Sequence, residues 1–359
     1  MRILCLGTGP FAVPTLRALH AGPQQVVGVV TRPERGDPRR RKQPQPSPMR
    51  QVAEQLGLPV SAPVSINSDE GLEILRQASA DLLMVCDYGQ ILKPAALQAA
   101  PLGGINLHGS LLPRHRGAAP VHAAILAGDV ETGVTVIHMT PGLDAGPILA
   151  IRRTNIEPTE NQSELEARLA VLGIDAVLEA IERLEQWDRR VPLGFPQDPS
   201  QVTSAPRLKK EQGRLDWNCS AIDLDRQIRA LQPWPGCDTT LKRRSGGEPL
   251  RVLIERAEPL VGATPGNEAP GIIVSADRSG IVAAAGGGST GLHQHAGAGV
   301  WLHAEAAVRF RVGVFEPPGD AGDFRPRLVD GLAGTQQGHG VDVAIGSCRL
   351  VPAQRQVEL

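Results

Sequence analysis

The chain opens with MRILCLGTGPFAVPTLRAL, residues 1–19, and the reading of this stretch decides the fold. Residues 3–6 are a short apolar run, GTGPFA is a glycine-rich turn, and a helical pattern follows it. A strand that feeds a helix through glycines is the first unit of a βαβ fold. Short apolar runs recur at 26–30, 82–86, 104–107 and 134–139, alternating with helical patterns. That rhythm predicts an α/β domain with a Rossmann-like, mostly parallel sheet. Ser47 and Pro48 suit the N-cap and first turn of a helix over 49–56. Ser163 and Glu166 form a capping-box pattern ahead of an amphipathic helix over 165–187.

At 359 residues the chain is long enough for two domains, each with its own core. Residues 192–206 are rich in Pro, Gln, Asp and Ser and read as an exposed linker. Beyond them, one helix near 220–231 precedes LRVLIERAEPL (250–260), APGIIVSA (269–276) and SGIVAAA (279–285), which read as short strands parted by Gly and Pro turns. A smaller antiparallel domain closed as a β-barrel is expected. The organisation is thus residues 1–188, a linker over 189–206, a second domain over 207–330, and an unassigned tail over 331–359.

Composition narrows the function classes. A formal net charge of -1 excludes a uniformly basic nucleic-acid binder but permits a local basic patch. Cys5, Cys86, Cys219, Cys237 and Cys348 are scattered and odd in number, which fits reduced thiols better than a disulfide framework or a zinc site. The first residues go straight into a strand pattern instead of a secretory leader, and no apolar run reaches membrane-spanning length. The expectation is a cytoplasmic protein with neither a membrane segment nor a metal.

The turn GTGPFA resembles the dinucleotide fingerprint GxGxxA, whose glycines let a phosphate approach a helix N-terminus. The second strand should then end in an acidic residue, but Val30 is followed by Thr31, Arg32 and Pro33. Arg32 would suit a 2′-phosphate, so an NAD(P)-binding oxidoreductase and a plain tight turn both remain open. Behind that strand Arg32, Arg35, Arg39, Arg40, Arg41, Lys42 and Arg50 face only Glu34 and Asp37. The prolines of this loop exclude a helix or central strand. It is either a solvated face or an arm that grips a phosphate backbone at the end of the sheet where ligands bind.

Chemistry concentrates in GGINLHGSLLPRHRGAAP, residues 103–120. In an extended chain Asn106 and His108 project to one face. HMTPGLDAGPI supplies Asp144 in a loop just after another strand. A carboxylate beside an imidazole fixes its tautomer and favours its protonated form, and an amide beside both can steady an oxyanion. With neither a serine nor a cysteine nucleophile in the stretch, the chemistry reads as acyl transfer to a nucleophile that the substrate carries, such as an amine. The histidines lack metal-ligand spacing, and His115 and His122 read as surface or rim residues. Satisfied core polar groups remain the alternative.

The block INLHGSLLPRHRGAAPVHAAILAGDVETGVTVIHMTPGLDAGPIL, residues 105–149, resembles the signature of the 10-formyltetrahydrofolate-dependent formyltransferases. GTGPFAVPTLRAL resembles that family's opening turn, which does not bind a dinucleotide. The resemblance implies a formyltransferase domain followed by an OB-like β-barrel, and 10-formyltetrahydrofolate as formyl donor. It assigns catalysis to Asn106, His108 and Asp144, and the folate site to Ser110, Leu111, Leu112 and Pro113 with Ile91 and Leu92. The basic loop, and SAPRLKKEQGRLDWNCSAIDLDRQIRALQPWPG over 204–236, are similar to members that formylate methionyl-initiator tRNA for translation initiation. That implies a monomer whose Arg39, Arg40, Arg41 and Lys42 touch tRNA. Departures are Gly9 where the family has proline, DPRRRK at the loop tip, and a likeness that ends near Ala285. Rival readings are the same core acting on a nucleotide-sugar amine or glycinamide ribonucleotide, the oxidoreductase, and a non-catalytic RNA-binding protein.

Overall fold

The computed structural model describes residues 1–34, 45–242, 247–260, 269–277, 280–286, 307–314 and 356–358. They divide into two units, Met1–Arg207 and Leu208–Leu359. In the first unit the strands are β1 (Arg2–Leu6), β2 (Gln25–Val30), β3 (Val60–Ser61), β4 (Leu82–Val85), β5 (Gly104–His108), β6 (Arg116–Gly117), β7 (Glu131–His138), β8 (Ile148–Asn155) and β9 (Ser204–Ala205). Its helices are α1 (Val13–Ala21), α2 (Pro48–Gln55), α3 (Asp69–Ala78), α4 (Pro94–Leu97), α5 (Pro120–Ala127) and α6 (Gln162–Glu185).

Seven strands make one sheet in the order β3-β2-β1-β4-β5-β7-β8, while β6 and β9 pair apart from it. The pairings from β3 to β5 are parallel, and β5–β7 and β7–β8 are antiparallel. This is the mostly parallel sheet that the sequence rhythm predicts. β4, buried at all four residues, reads as an unbroken apolar run because helices cover both faces of such a sheet. The order reverses between β1 and β4, so the loops after those strands diverge and leave a crevice there.

α2 begins as expected, with the Ser47 side chain accepting from the Arg50 N–H. α6 is capped two residues earlier than expected. Asn161 is its N-cap, and Asn161 and Glu164 form the reciprocal capping box. The Ser163/Glu166 pattern was a decoy of the same composition, because Leu165 must already point inward for the buried stripe to run through Leu169, Val177, Ile181 and Leu184. Each such side chain contributes about 1.5–3 kcal/mol relative to exposure.

The second unit holds α7 (Ala221–Ala230) and strands β10 (Cys237–Lys242), β11 (Leu250–Leu260), β12 (Ile273–Asp277), β13 (Gly280–Ala284), β14 (Ala307–Val314) and β15 (Gln356–Glu358). Their order is β12-β13-β14-β11-β10-β15, antiparallel except for β10–β15. Trp217, Leu224, Ile228, Val252 and Ile254 form its core, and the buried Trp217 indole donates to Thr239 Oγ1 at 3.1 Å. The tail left unassigned from the sequence supplies β15.

Candidate active site

Asn106 and His108 project from the end of β5, where the register sets His108 opposite Thr135 of β7. Thr135 is a buried hydroxyl that donates to the Ser110 carbonyl at 2.7 Å and accepts from the Leu112 N–H at 3.1 Å. It therefore pins the loop that leaves β5. The Ser110 hydroxyl turns back to the Arg114 carbonyl at 2.7 Å, which fixes the loop from inside.

Asp144 lies between β7 and β8 with φ +48, a left-handed conformation that aspartate tolerates better than most residues. It brings its carboxylate to the strand end. Oδ1 accepts from Asn106 Nδ2 at 3.4 Å, Oδ2 accepts from the Gly117 N–H at 2.9 Å, and Oδ2 lies 3.7 Å from His108 Nδ1. The three residues singled out in the sequence are thus one cluster.

His108 is 5% exposed, and its Nε2 sits 2.9 Å from the His115 carbonyl. A carbonyl only accepts, so Nε2 carries the proton and the neutral ring turns a bare Nδ1 toward Asp144. Burial holds the imidazole below its ordinary value, outweighing the opposing pull of Asp144 and of the His115 carbonyl. Asp144 does favour the imidazolium, as the sequence reading has it, but desolvation of a nearly closed ring outweighs a carboxylate that stands 3.7 Å off. The site thus holds a proton acceptor, an amide donor and a carboxylate within reach of one another, as acyl transfer to an amine requires.

His115 is 6% exposed, which overturns the surface half of its reading, while it does line the cavity beside Pro113. Its Nε2 lies 2.7 Å from Asp129 Oδ2, and its N–H donates to Thr203 Oγ1 at 2.8 Å. Leu111, Leu112 and Pro113 line a cavity of about 320 Å³ together with Thr132 and Arg153. Ile91 is 66% exposed after β4, and Leu92 is buried in the core beside Tyr88 and Leu83. Arg39, Arg40, Arg41 and Lys42 lie outside the described residues. Asp129, Thr203 and Gln197 went unnoticed in the sequence because their partners are 14 to 88 residues away and no local pattern marks them.

The glycine turn carries its own anion. Asp87 follows β4 with φ +47, on the far side of the crevice from β1. The Gly9 N–H bonds its carboxylate, and a Cβ on Gly9 would fall 1.8 Å from Asp87 Oδ2. The Asp87 side chain therefore rests in the space that a Cβ at position 9 would take, and it would have to turn aside for a larger residue. Although the residue keeps one side open to solvent, burial of the carboxyl and then repulsion by Glu166 push it up to about 6. A pyrophosphate would need the position this carboxylate occupies, which removes the physical basis of the dinucleotide reading.

Among the described residues no group of three or more His, Cys, Asp or Glu side chains could hold a metal ion, and no helix is long and apolar enough to cross a membrane. Residues 1–181 match the family described as formyl transferase, and residues 207–299 match its C-terminal domain. The chain is 51% identical over 261 residues to a methionyl-tRNA formyltransferase from Rhodopirellula baltica, covering 71% of this chain and 78% of that one. It is 42% identical over 286 residues to the methionyl-tRNA formyltransferase of Desulfotalea psychrophila, covering 80% and 85%. In fold it is similar to an N-formyltransferase from Helicobacter canadensis solved with folinic acid and dTDP-3-aminofucose. That match has a TM-score of 0.57 at 15% identity and covers 86% of this chain and 98% of the other.

Proposed function

The chain belongs to the formyl transferase family, and on that premise we propose that it moves the formyl group of 10-formyltetrahydrofolate onto the α-amine of methionyl-initiator tRNA. The observation that carries this reading is the convergence of Asn106, His108 and Asp144 at the end of β5, with no nucleophile of the protein's own among them. The relatives named methionyl-tRNA formyltransferase support the acceptor.

The neutral amine attacks the formyl carbon, and the carbonyl electron pair moves to oxygen. Asn106 Nδ2 donates to that oxyanion. The attacking nitrogen sheds a proton through Asp144 to the neutral His108, and the imidazolium formed adds its charge to the stabilisation. The proton passes to N10 as the bond from carbon to N10 breaks, releasing tetrahydrofolate and the N-formylated ester. Leu111, Leu112 and Pro113 hold the folate beside the site, on the loop that buried Ser110 fixes from inside, with Ile91 at its exposed edge. Arg39, Arg40, Arg41 and Lys42 grip the tRNA backbone, and the whole operates in the cytoplasm as a monomer.

Incubation of the full chain with 10-formyltetrahydrofolate and charged initiator tRNA should yield formyl-methionyl-tRNA. Uncharged tRNA and a sugar-nucleotide amine should yield no formylated product. Formylation of the sugar amine in preference to the tRNA would transfer the same chemistry to a different substrate and defeat the proposed acceptor.

A further inference from the structure

Residues 195–205, which composition marks as a connecting segment, touch the reacting cluster at the Asp144 carbonyl and bond its neighbours His115, Arg116 and Gly146. We infer that this strap is part of the site's positioning apparatus, with Gln197 and Thr203 as the residues that hold Asp144 and His108 in place. The inference rests on the proposed roles of that pair.

One amide does much of the holding. Gln197 Nε2 donates to the Asp144 carbonyl at 2.8 Å and to the Gly146 carbonyl at 2.7 Å. Its Oε1 accepts from Arg116 Nε at 3.1 Å and Nη2 at 2.6 Å. The loop bearing Asp144 is thereby tied to β6. That short strand in turn touches both members of the pair, since the Gly117 N–H binds the Asp144 carboxylate and the carbonyl of His115, the preceding residue, receives Nε2–H of His108.

β6 lies outside the main sheet, and β9 of the strap is its strand partner. The Arg116 N–H donates to the Thr203 carbonyl at 2.9 Å, and the Ala119 N–H to the Ala205 carbonyl at 3.2 Å. Thr203 Oγ1 also accepts from the His115 N–H, which steadies a residue held at φ +59. Gly117 has φ +128, and a Cβ there would lie 2.4 Å from the Ala205 carbonyl oxygen, so the backbone is shaped to the strap. Beside the Asp129 contact with the His115 ring, Thr203 of the strap bonds the N–H groups of both His115 and Arg116, and so holds the peptide that selects the His108 tautomer. A base whose tautomer is wrong, or whose carboxylate partner drifts, loses turnover before it loses substrate binding.

The test uses the full chain with Gln197→Ala, Thr203→Val and the conservative Thr203→Ser. Ser200→Ala serves as a control within the strap, because the Ser200 hydroxyl bonds only Asp198. Gln197→Ala and Thr203→Val should each lower kcat by about tenfold or more, with KM for 10-formyltetrahydrofolate changed less than about threefold. Thr203→Ser should recover most of the loss and Ser200→Ala should lose nothing. Imidazole ¹⁵N spectra of histidine-labelled protein, with the His108 signal assigned by its disappearance in His108→Gln, should show the Nε2–H tautomer in the parent chain and a shifted or averaged signal in Gln197→Ala and Thr203→Val. Unchanged kcat together with an unmoved His108 signal would reduce the strap to a connector. A parent chain inactive on methionyl-tRNA would count against the proposed acceptor alone, because the His108 signal reports the strap's hold without any turnover.

Discussion

His108 donates from Nε2 to a backbone carbonyl and turns Nδ1 toward a carboxylate, so its protonation decides what the site can do. Burial keeps it below the ordinary histidine value of about 6.5. As a proton acceptor it must be neutral, so once the titration of the free substrate amine is divided out of kcat/KM, the enzyme's own acid limb should fall only below about pH 6.5, and in His108→Gln that enzyme limb should disappear from the residual rate. The same depression means that the unfolded chain takes up the proton first. This contribution to stability is therefore present above about pH 6.5 and lost as pH falls below it, which melting temperatures of the parent and His108→Gln across pH 5 to 7 would register. Replacing Asn106 or His108 with alanine should lower turnover on the order of 100-fold or more, as loss of an oxyanion donor or acid–base group does. A purified Asn106→Ala with undiminished turnover would remove the amide from the mechanism.

At the level of elements, α6 offers a clean comparison of two caps. Asn161→Ala should cost about 1 kcal/mol in urea unfolding, while Ser163→Ala, two residues on and outside the capping box, should cost only a few tenths. The reverse order would restore the sequence reading. The elements legible in the sequence were those whose apolar pattern is local, such as β1, β2, β4, α2 and β11, the last matching LRVLIERAEPL residue for residue. β8 and β10 escaped because ILAIRRTN and CDTTLK mix burial with charge or hydroxyls, as strands half open to solvent do. In the site, Asn106, His108 and Asp144 could be read from strand alternation and a glycine-bounded loop. His115, Gln197 and Thr203 could not, since their roles come from backbone partners that only the tertiary fold brings close.

For the whole molecule, the proposed function joins a formyl-transfer centre in the first unit to a nucleic-acid substrate. Alanine at Arg39, Arg40, Arg41 and Lys42 together should weaken tRNA binding and flatten the slope of log affinity against log salt by about 3 to 4, at roughly 0.7–0.9 for each of the phosphates no longer neutralised. An unchanged slope would make that loop a solvated face. The dinucleotide alternative is answered at the same scale, because at the switch point between β1 and β4 the Asp87 carboxylate stands against Gly9, where a phosphate would have to sit. In the proposed reaction Asp144, with His108 and Asn106, moves a formyl group onto the amine of a charged tRNA. Single-turnover formylation of methionyl-initiator tRNA by the intact chain and by Asp144→Ala, with saturating 10-formyltetrahydrofolate, addresses it most directly. The parent chain should give formyl-methionyl-tRNA, and the variant a rate lower by a factor on the order of 100 or more. Equal rates for the two proteins would contradict it.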